Sequence, residues 1–278
     1  MKNHFSPELK KVIYFDMSHT LVDLKQSFNQ AFKETVREYT GRWEGPGADP
    51  ERMLDVYWEE WKRRSPAGRE TAARKGAAVR QARKPVSPPG RRRAKGTAGW
   101  DQSSSGLRLA CLAAALQGLP VPPGGGFLKA VDAKIRENAE LHPRLMPGAR
   151  EALERLAPRY RLAVISNGTA EKRLGQLQRL GLGRLIPPEH VFTAAASARR
   201  KPSPLIFAHA LKGMGISGPQ AVMVGDSWEK DIAGAVSAGI DAVWLHPGHA
   251  KKSSLRKLGS RKVYIIRRMD QLVPILLP

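Results

Sequence analysis

Four short stretches of this 278-residue chain hold side chains that could do chemistry together. Asp16 closes an apolar run, KVIYFD at 11–16, and Met17, Ser18, His19 and Thr20 follow it. Ser166, Asn167 and Gly168 follow the run YRLAVI, and Lys201 stands in Arg200-Lys201-Pro202. Asp226 follows AVMVG, with Asp231 five residues on. These groups suit phosphoryl transfer. A carboxylate nucleophile needs a neighbouring cation before an anionic phosphate comes near. Lys201 can neutralise charge on Asp16 and on phosphoryl oxygens. Mg²⁺ takes oxygen ligands and keeps several waters. Asp16, Asp226 and the main-chain carbonyl of Ser18 can ligate it, and Asp231 can orient its waters or Lys201. Ser166 and the amides near Asn167 can hydrogen-bond a phosphoryl oxygen, and those amides open a helix, which favours anions.

Such residues act together only if one scaffold brings them to one edge. From residue 160 onward, short apolar runs at 160–166, 191–193, 221–225, 242–245 and 263–266 alternate with helical patterns. That alternation marks an α/β protein with a parallel, doubly wound sheet. Ligands bind at the carboxyl ends of its strands, where all four stretches fall. The first strand, 11–16, is separated from the rest by about 120 residues of helical pattern, notably 24–40, 50–64, 107–116 and 127–141. The predicted domains are therefore 1–23 with 142–278 as the α/β core, and 24–141 as a helical insertion. A basic, flexible segment at about 65–105 lies within the insertion, rich in Pro, Gly and Ser and poor in large apolar residues.

In their order and spacing, FDMSHTLVD (15–23), ISNG (165–168), RKP (200–202) and VGDSWEKD (224–231) resemble the four motifs of the haloacid dehalogenase superfamily of hydrolases. The resemblance covers 11–23 and about 140–247, and the helical insertion by its position. It implies a Rossmann-like core with a helical cap, Mg²⁺, and an aspartyl-phosphate intermediate on Asp16. It places Lys201 in the catalytic set. Ser166, Asn167, Gly168 and Thr20 fall on the substrate side, and Asp16, Ser18, Asp226 and Asp231 around the metal. The implied activity is a phosphatase for a small phosphorylated metabolite.

One position departs from the family. Its phosphatases carry a second Asp two residues after the nucleophile, to protonate the leaving group and later activate water; here that position is Ser18. A serine hydroxyl is a poor general acid near neutral pH, and losing such a group costs about 10²–10⁴ in rate. A histidine side chain is a general acid type suited to neutral pH, and His19 substitutes only if its ring turns into the site. The alternative is a weakly active or inactive phosphate-binding or regulatory protein. Dehalogenation is disfavoured because the motif around Asp226 is retained. Imine chemistry on a lysine of the insertion, such as Lys33 or Lys62, has no spacing to support it.

Composition narrows the classes. Hydrophobic residues make up 41% and charged residues 26% of the chain, enough for a core. No apolar run approaches the ~20 residues of a membrane span, and the N-terminal residues lack a signal core. With one cysteine, Cys111, neither an intrachain disulfide nor a cysteine zinc site can form, so a cytoplasmic location is expected. Net charge is +22, and residues 62–100 concentrate it, with 13 Lys or Arg against Glu70. No aromatic side chain interleaves those cations between Lys62 and Trp100. A solvated loop is therefore favoured over nucleic-acid contact, which stays as the alternative. His246 and His249 lack a visible third ligand and read as a surface loop. Cys111 and Trp58, Trp61 and Trp228 read as packing residues.

Overall fold

The computed structural model describes residues 6–41, 49–65, 105–119, 124–194, 199–250 and 253–277. Residues 66–104, and with them the expectations about the basic segment, lie outside the described residues. The chain divides into two units, Met1–Ser27 with Leu141–Pro278, and Phe28–Glu140.

The first unit is built on seven strands: β1 (Val12–Phe15), β2 (Arg161–Ser166), β3 (Val191–Thr193), β4 (Ala221–Gly225), β5 (Asp241–Leu245), β6 (Ser253–Leu258) and β7 (Arg261–Ile266). Their order is β3-β2-β1-β4-β5-β7-β6, parallel except for the β6–β7 pair. Alternate side chains of β1, β2 and β4 enter opposite cores. Ile13, Phe15, Leu162, Val164, Val222 and Val224 join one, while Val12, Tyr14, Ala163, Ile165, Ala221 and Met223 join the other. Both faces are covered, so the strands read as unbroken apolar runs. Helix α5 (Ala149–Leu156) lays Ala149, Leu153 and Leu156 on the first core. Helix α7 (Pro204–Gly213) lays Ile206, Phe207 and Ala210 on the second.

Two elements depart from the sequence reading. Ser253–Leu258 forms an antiparallel edge strand where none is expected. It is half exposed and carries Arg256 and Lys257, so it has no apolar signature. Its readable sign is the two-residue Gly259-Ser260 link to β7, with Gly259 at φ 59°. The run after Asp226 is not a regular helix from Trp228. Trp228–Ala233 winds as a wider π turn, and only Gly234–Ser237 (α8) is α-helical. Such turns are frequent at functional sites.

The second unit is helical among its described residues. It takes in most of α1 (Leu24–Thr40), all of α2 (Pro50–Arg64) and α3 (Ser105–Ala115), and most of α4 (Gly125–Leu141). Asp49 caps α2 by accepting from Glu51 N at 3.0 Å, with Pro50 at the first position. Phe28 meets Tyr57 and Trp58 with ring centroids 5.0 and 5.4 Å apart, and Trp58 and Trp61 pack against Tyr57. Cys111 is buried, and Arg108 bonds Asp132 at 3.0 Å inside the unit. Among the described residues no helix is long and apolar enough to cross a membrane.

At the amino edge of the sheet sits a buried ion pair. Lys10 Nζ donates to Asp241 Oδ2 and to Pro219 O, both at 2.6 Å, and Asp241 Oδ1 accepts from Lys262 N at 2.9 Å. Burial, partly offset by Asp241, lowers the Lys10 pKa. The pair joins the chain ahead of β1 to the start of β5 and to β7. Removing one partner strands the other charge. Asp241→Ala should cost about 3–5 kcal/mol in urea unfolding, and the paired replacement Lys10→Met with Asp241→Leu far less. Equal losses for the single and paired variants would refute this account.

Candidate active site

The order of the sheet reverses at β1, with β2 on one side and β4 on the other, so a crevice forms at the carboxyl ends of these strands. The register sets Phe15 opposite both Val164 and Val224. Asp16 and Asp226 therefore emerge side by side, and Asp16 N donates to Val224 O at 2.9 Å. Asp16 is 8% exposed.

Lys201 is the hub. Its ammonium donates to Asp16 Oδ1 at 2.5 Å, to Asp231 Oδ1 at 2.6 Å and to Ile165 O at 2.8 Å. An ammonium has three protons, and all three are taken. Burial works against the charged form of Lys201. Asp16 and Asp231 outweigh it, so the pKa stands above the ordinary lysine value. The backbone of Lys201 is held as well. Its N–H donates to Asn167 Oδ1 at 2.7 Å, and its carbonyl accepts from Asn167 Nδ2 at 3.1 Å.

Asp231 reaches the hub through the π turn. Ser227 N donates to Asp231 Oδ2 at 3.0 Å, and both Asp231 N and Ile232 N donate back to Ser227 O. Gly225 makes this possible, because a Cβ there would run into the Asp231 carboxylate. Asp16, Asp226 and Asp231 each bring a carboxylate oxygen within 4.8 Å of the others. Three carboxylates face one ammonium. Burial, then Asp16 and Asp231, push the Asp226 pKa up to about 7. Burial also raises Asp231, against the pull of Lys201. Such a cluster of hard oxygen donors can accept a divalent cation.

The remaining expected residues divide. Ser166 ends β2, buried, and its Oγ accepts from Arg173 Nε at 2.8 Å and from Gly168 N at 3.4 Å. Asn167 is expected on the substrate side, but its side chain is spent on the backbone of Lys201. Thr20 is fully buried. Leu21 N and Val22 N both donate to Met17 O and His19 N to Val22 O, so the loop closes on itself and takes Thr20 inside. Its hydroxyl has no hydrogen-bond partner among the described residues. Ser18 is half-buried. His19 takes a left-handed backbone, φ 59°. Among the described residues no hydrogen bond joins its ring to Asp16, Lys201 or Asp226. Trp228 and His246 both pack on Trp244, at 4.9 and 4.4 Å, and His249 pairs with Ser254 Oγ at 3.0 Å. Sequence reasoning missed Arg173, which carries no motif, and the bracing role of Asn167.

The family model described as haloacid dehalogenase-like hydrolase matches residues 10–239. The glyceraldehyde 3-phosphate phosphatase of Pyrococcus furiosus is 34% identical over 134 residues, 48% of this chain and 55% of that protein. The enzyme of the same name from Pyrococcus abyssi is 38% identical over 106 residues, 38% of this chain and 44% of that one. Pyrimidine 5'-nucleotidase YjjG of Escherichia coli is 33% identical over 139 residues, 48% and 57% of the two chains. The matches thus span about half the length of these relatives. In fold, the chain is similar to the HAD-hydrolase YfnB from Bacillus subtilis, solved bound to magnesium. The TM-score is 0.55 at 18% identity, covering 97% of this chain and 99% of that one.

The crowded carboxylates make a stability prediction. The folded state holds the Asp226 proton up to about pH 7, against an ordinary 3.8. Ionised Asp226 therefore destabilises the metal-free fold increasingly as pH rises through that window. Asp226→Asn removes the penalty. In EDTA at pH 8 its melting temperature should exceed wild type by about 2–8 °C, the response of a chain this size to ~1–2 kcal/mol. The gain should fade as pH falls toward 4. A gain that does not change with pH would refute the assignment.

Proposed function

Because the chain belongs to the haloacid dehalogenase-like hydrolases, we propose that it is a Mg²⁺-dependent phosphatase of a small phosphorylated metabolite, with Asp16 as the nucleophile. One observation carries this reading: the Lys201 ammonium bonds both Asp16 and Asp231 at the switch point of the sheet, beside Asp226. The relatives named as phosphatases of a triose phosphate and of nucleotides support a small phosphate ester as substrate.

In this reading an Asp16 carboxylate oxygen forms a bond to phosphorus while the bond to the leaving oxygen breaks. Water then cleaves the aspartyl phosphate and releases inorganic phosphate. Lys201 bonds Asp16 and offsets the charge of the arriving phosphoryl group. Ser166 Oγ–H and the amides around Gly168 hydrogen-bond its oxygens. Asp16, Asp226 and the Ser18 carbonyl would hold Mg²⁺, with Asp231 supporting. The donor set fits, since all its members are hard oxygens and the three carboxylates exceed the single ammonium by two charges. When bound, the ion supplies electrostatic stabilisation of the phosphoryl oxygens.

Ser18 sets a limit on this chemistry. With no titratable side chain there, the leaving oxygen departs without a proton from that position. Esters whose leaving group is a stable anion are therefore favoured. The same position supports the second reading, a phosphate-binding protein with little turnover.

Two measurements decide between them. Phosphate release from p-nitrophenyl phosphate with Mg²⁺ should fall to background in EDTA and in Asp16→Asn; full activity in Asp16→Asn would remove Asp16 as the nucleophile. Ser18→Asp should raise hydrolysis of alkyl phosphates by about 10²–10⁴, and of the aryl ester much less. If no ester turns over in either protein while inorganic phosphate still binds, the second reading replaces the first.

A further inference from the structure

We propose that Arg173 is a positioning residue for this reaction: it fixes the Ser166 hydroxyl so that its one proton is left for a phosphoryl oxygen. The inference rests on the phosphatase reading above.

A serine hydroxyl has one proton to donate and two lone pairs. At Ser166 Oγ both acceptor sites are engaged, by Arg173 Nε at 2.8 Å and Gly168 N at 3.4 Å. A ligand reaching this oxygen therefore meets a donor. That is the polarity a phosphoryl oxygen needs, because the phosphoryl group brings acceptors. A freely rotating hydroxyl would sample three staggered positions and lose that bias.

The guanidinium is itself held. Its Nη1 donates to Gln176 Oε1 at 2.8 Å, and Gln176 is 3% exposed. Arg173 and Gln176 lie three apart on helix α6 (Ala170–Arg179), so one helix face presents both. The helix is anchored by Thr169, whose side chain accepts from Lys172 N at 3.4 Å. Gly168 leaves the space the guanidinium fills, since a Cβ there would run into Arg173 Nε and Cζ. The small residue before the helix, the arginine on it and the buried glutamine beside it thus form one bracket around Ser166. The cation also polarises the hydroxyl it bonds, which strengthens the bond that hydroxyl donates.

A double-mutant cycle on the full chain tests the bracket, with p-nitrophenyl phosphate as substrate, inorganic phosphate as competitive inhibitor and Mg²⁺ present. The proteins are wild type, Ser166→Ala, Arg173→Ala and the double variant. Arg173→Ala should lower kcat/KM by about tenfold, the worth of one well-placed hydrogen bond. It should weaken phosphate inhibition to match. In the Ser166→Ala background the same change should cost less than about twofold, because the group it acts through is gone. Arg173→Lys, which keeps one donor, should recover part of the loss.

Equal losses in both backgrounds would mean that Arg173 acts on its own through its charge, and would overturn the inference while leaving the phosphatase reading intact. So would full activity of Arg173→Ala beside an impaired Ser166→Ala. A wild type that neither hydrolyses the ester nor is inhibited by phosphate would overturn both. Melting temperatures of all four proteins show that each is folded. Should Arg173→Ala fail to fold, Gln176→Leu keeps the arginine and loosens it, and should show the same background-dependent loss at smaller size.

Discussion

A single buried ammonium organises this molecule's candidate site. Lys201 bonds two carboxylates and a strand carbonyl, and each partner arrives on a different element. A buried lysine without partners would lose its proton, and buried carboxylates without a cation would gain one. Lys201 keeps its proton because Asp16 and Asp231 are placed beside it. The ends of β1 and β2, the loop before α7 and the turn after β4 must therefore be correct together. Neighbouring features follow from that demand: Asn167 braces the lysine backbone, Gly225 clears room for Asp231, and the π turn brings Asp231 back toward Ser227.

The charges are also deliberately unequal. One ammonium does not balance Asp16, Asp226 and Asp231, and burial, then the charges of Asp16 and Asp231, raise the Asp226 pKa. Such strain is a stability cost located at the site and offset elsewhere. The two apolar cores on either face of the sheet supply the offset, with each fully buried Leu, Ile, Val or Phe contributing about 1.5–3 kcal/mol. At the opposite edge, Lys10 and Asp241 form a buried pair whose charges match one to one. Buried ionic groups at the two ends of one sheet thus do different work. The balanced pair joins strands, and the unbalanced cluster gathers three carboxylates around one ammonium.

Ser18 and Ser166 show how much the environment of a hydroxyl matters. Neither titrates near neutral pH. In the phosphatase reading, Ser18 occupies a position where proton transfer would be useful and cannot supply it. In the same reading Ser166 needs only to donate one hydrogen bond in a fixed direction, while Arg173 Nε and Gly168 N occupy its lone pairs.

Local sequence determined whatever repeats with the period of a strand or a helix. VIYF and AVMVG are readable as strands because both faces of this sheet are buried. Helices α1 and α2 keep the bounds set by their apolar spacing and, for α2, by Asp49 and Pro50. Asp16, Ser166, Lys201 and Asp226 are legible because each stands where a strand ends or a helix is about to begin, the one place an α/β fold leaves open for ligands. Tertiary structure alone decided what those residues touch. Asp16 meets Lys201 across 185 positions and Lys10 meets Asp241 across 231; no periodicity encodes either pairing. Thr20 is buried by a loop closing on itself, Asn167 is diverted to a lysine backbone, β6 is held by its hairpin partner, and Arg173 finds Ser166 in the space left by Gly168. Burial leaves a repeating trace in sequence because every turn of an element must satisfy it. A hydrogen bond between distant side chains forms once, and so leaves none.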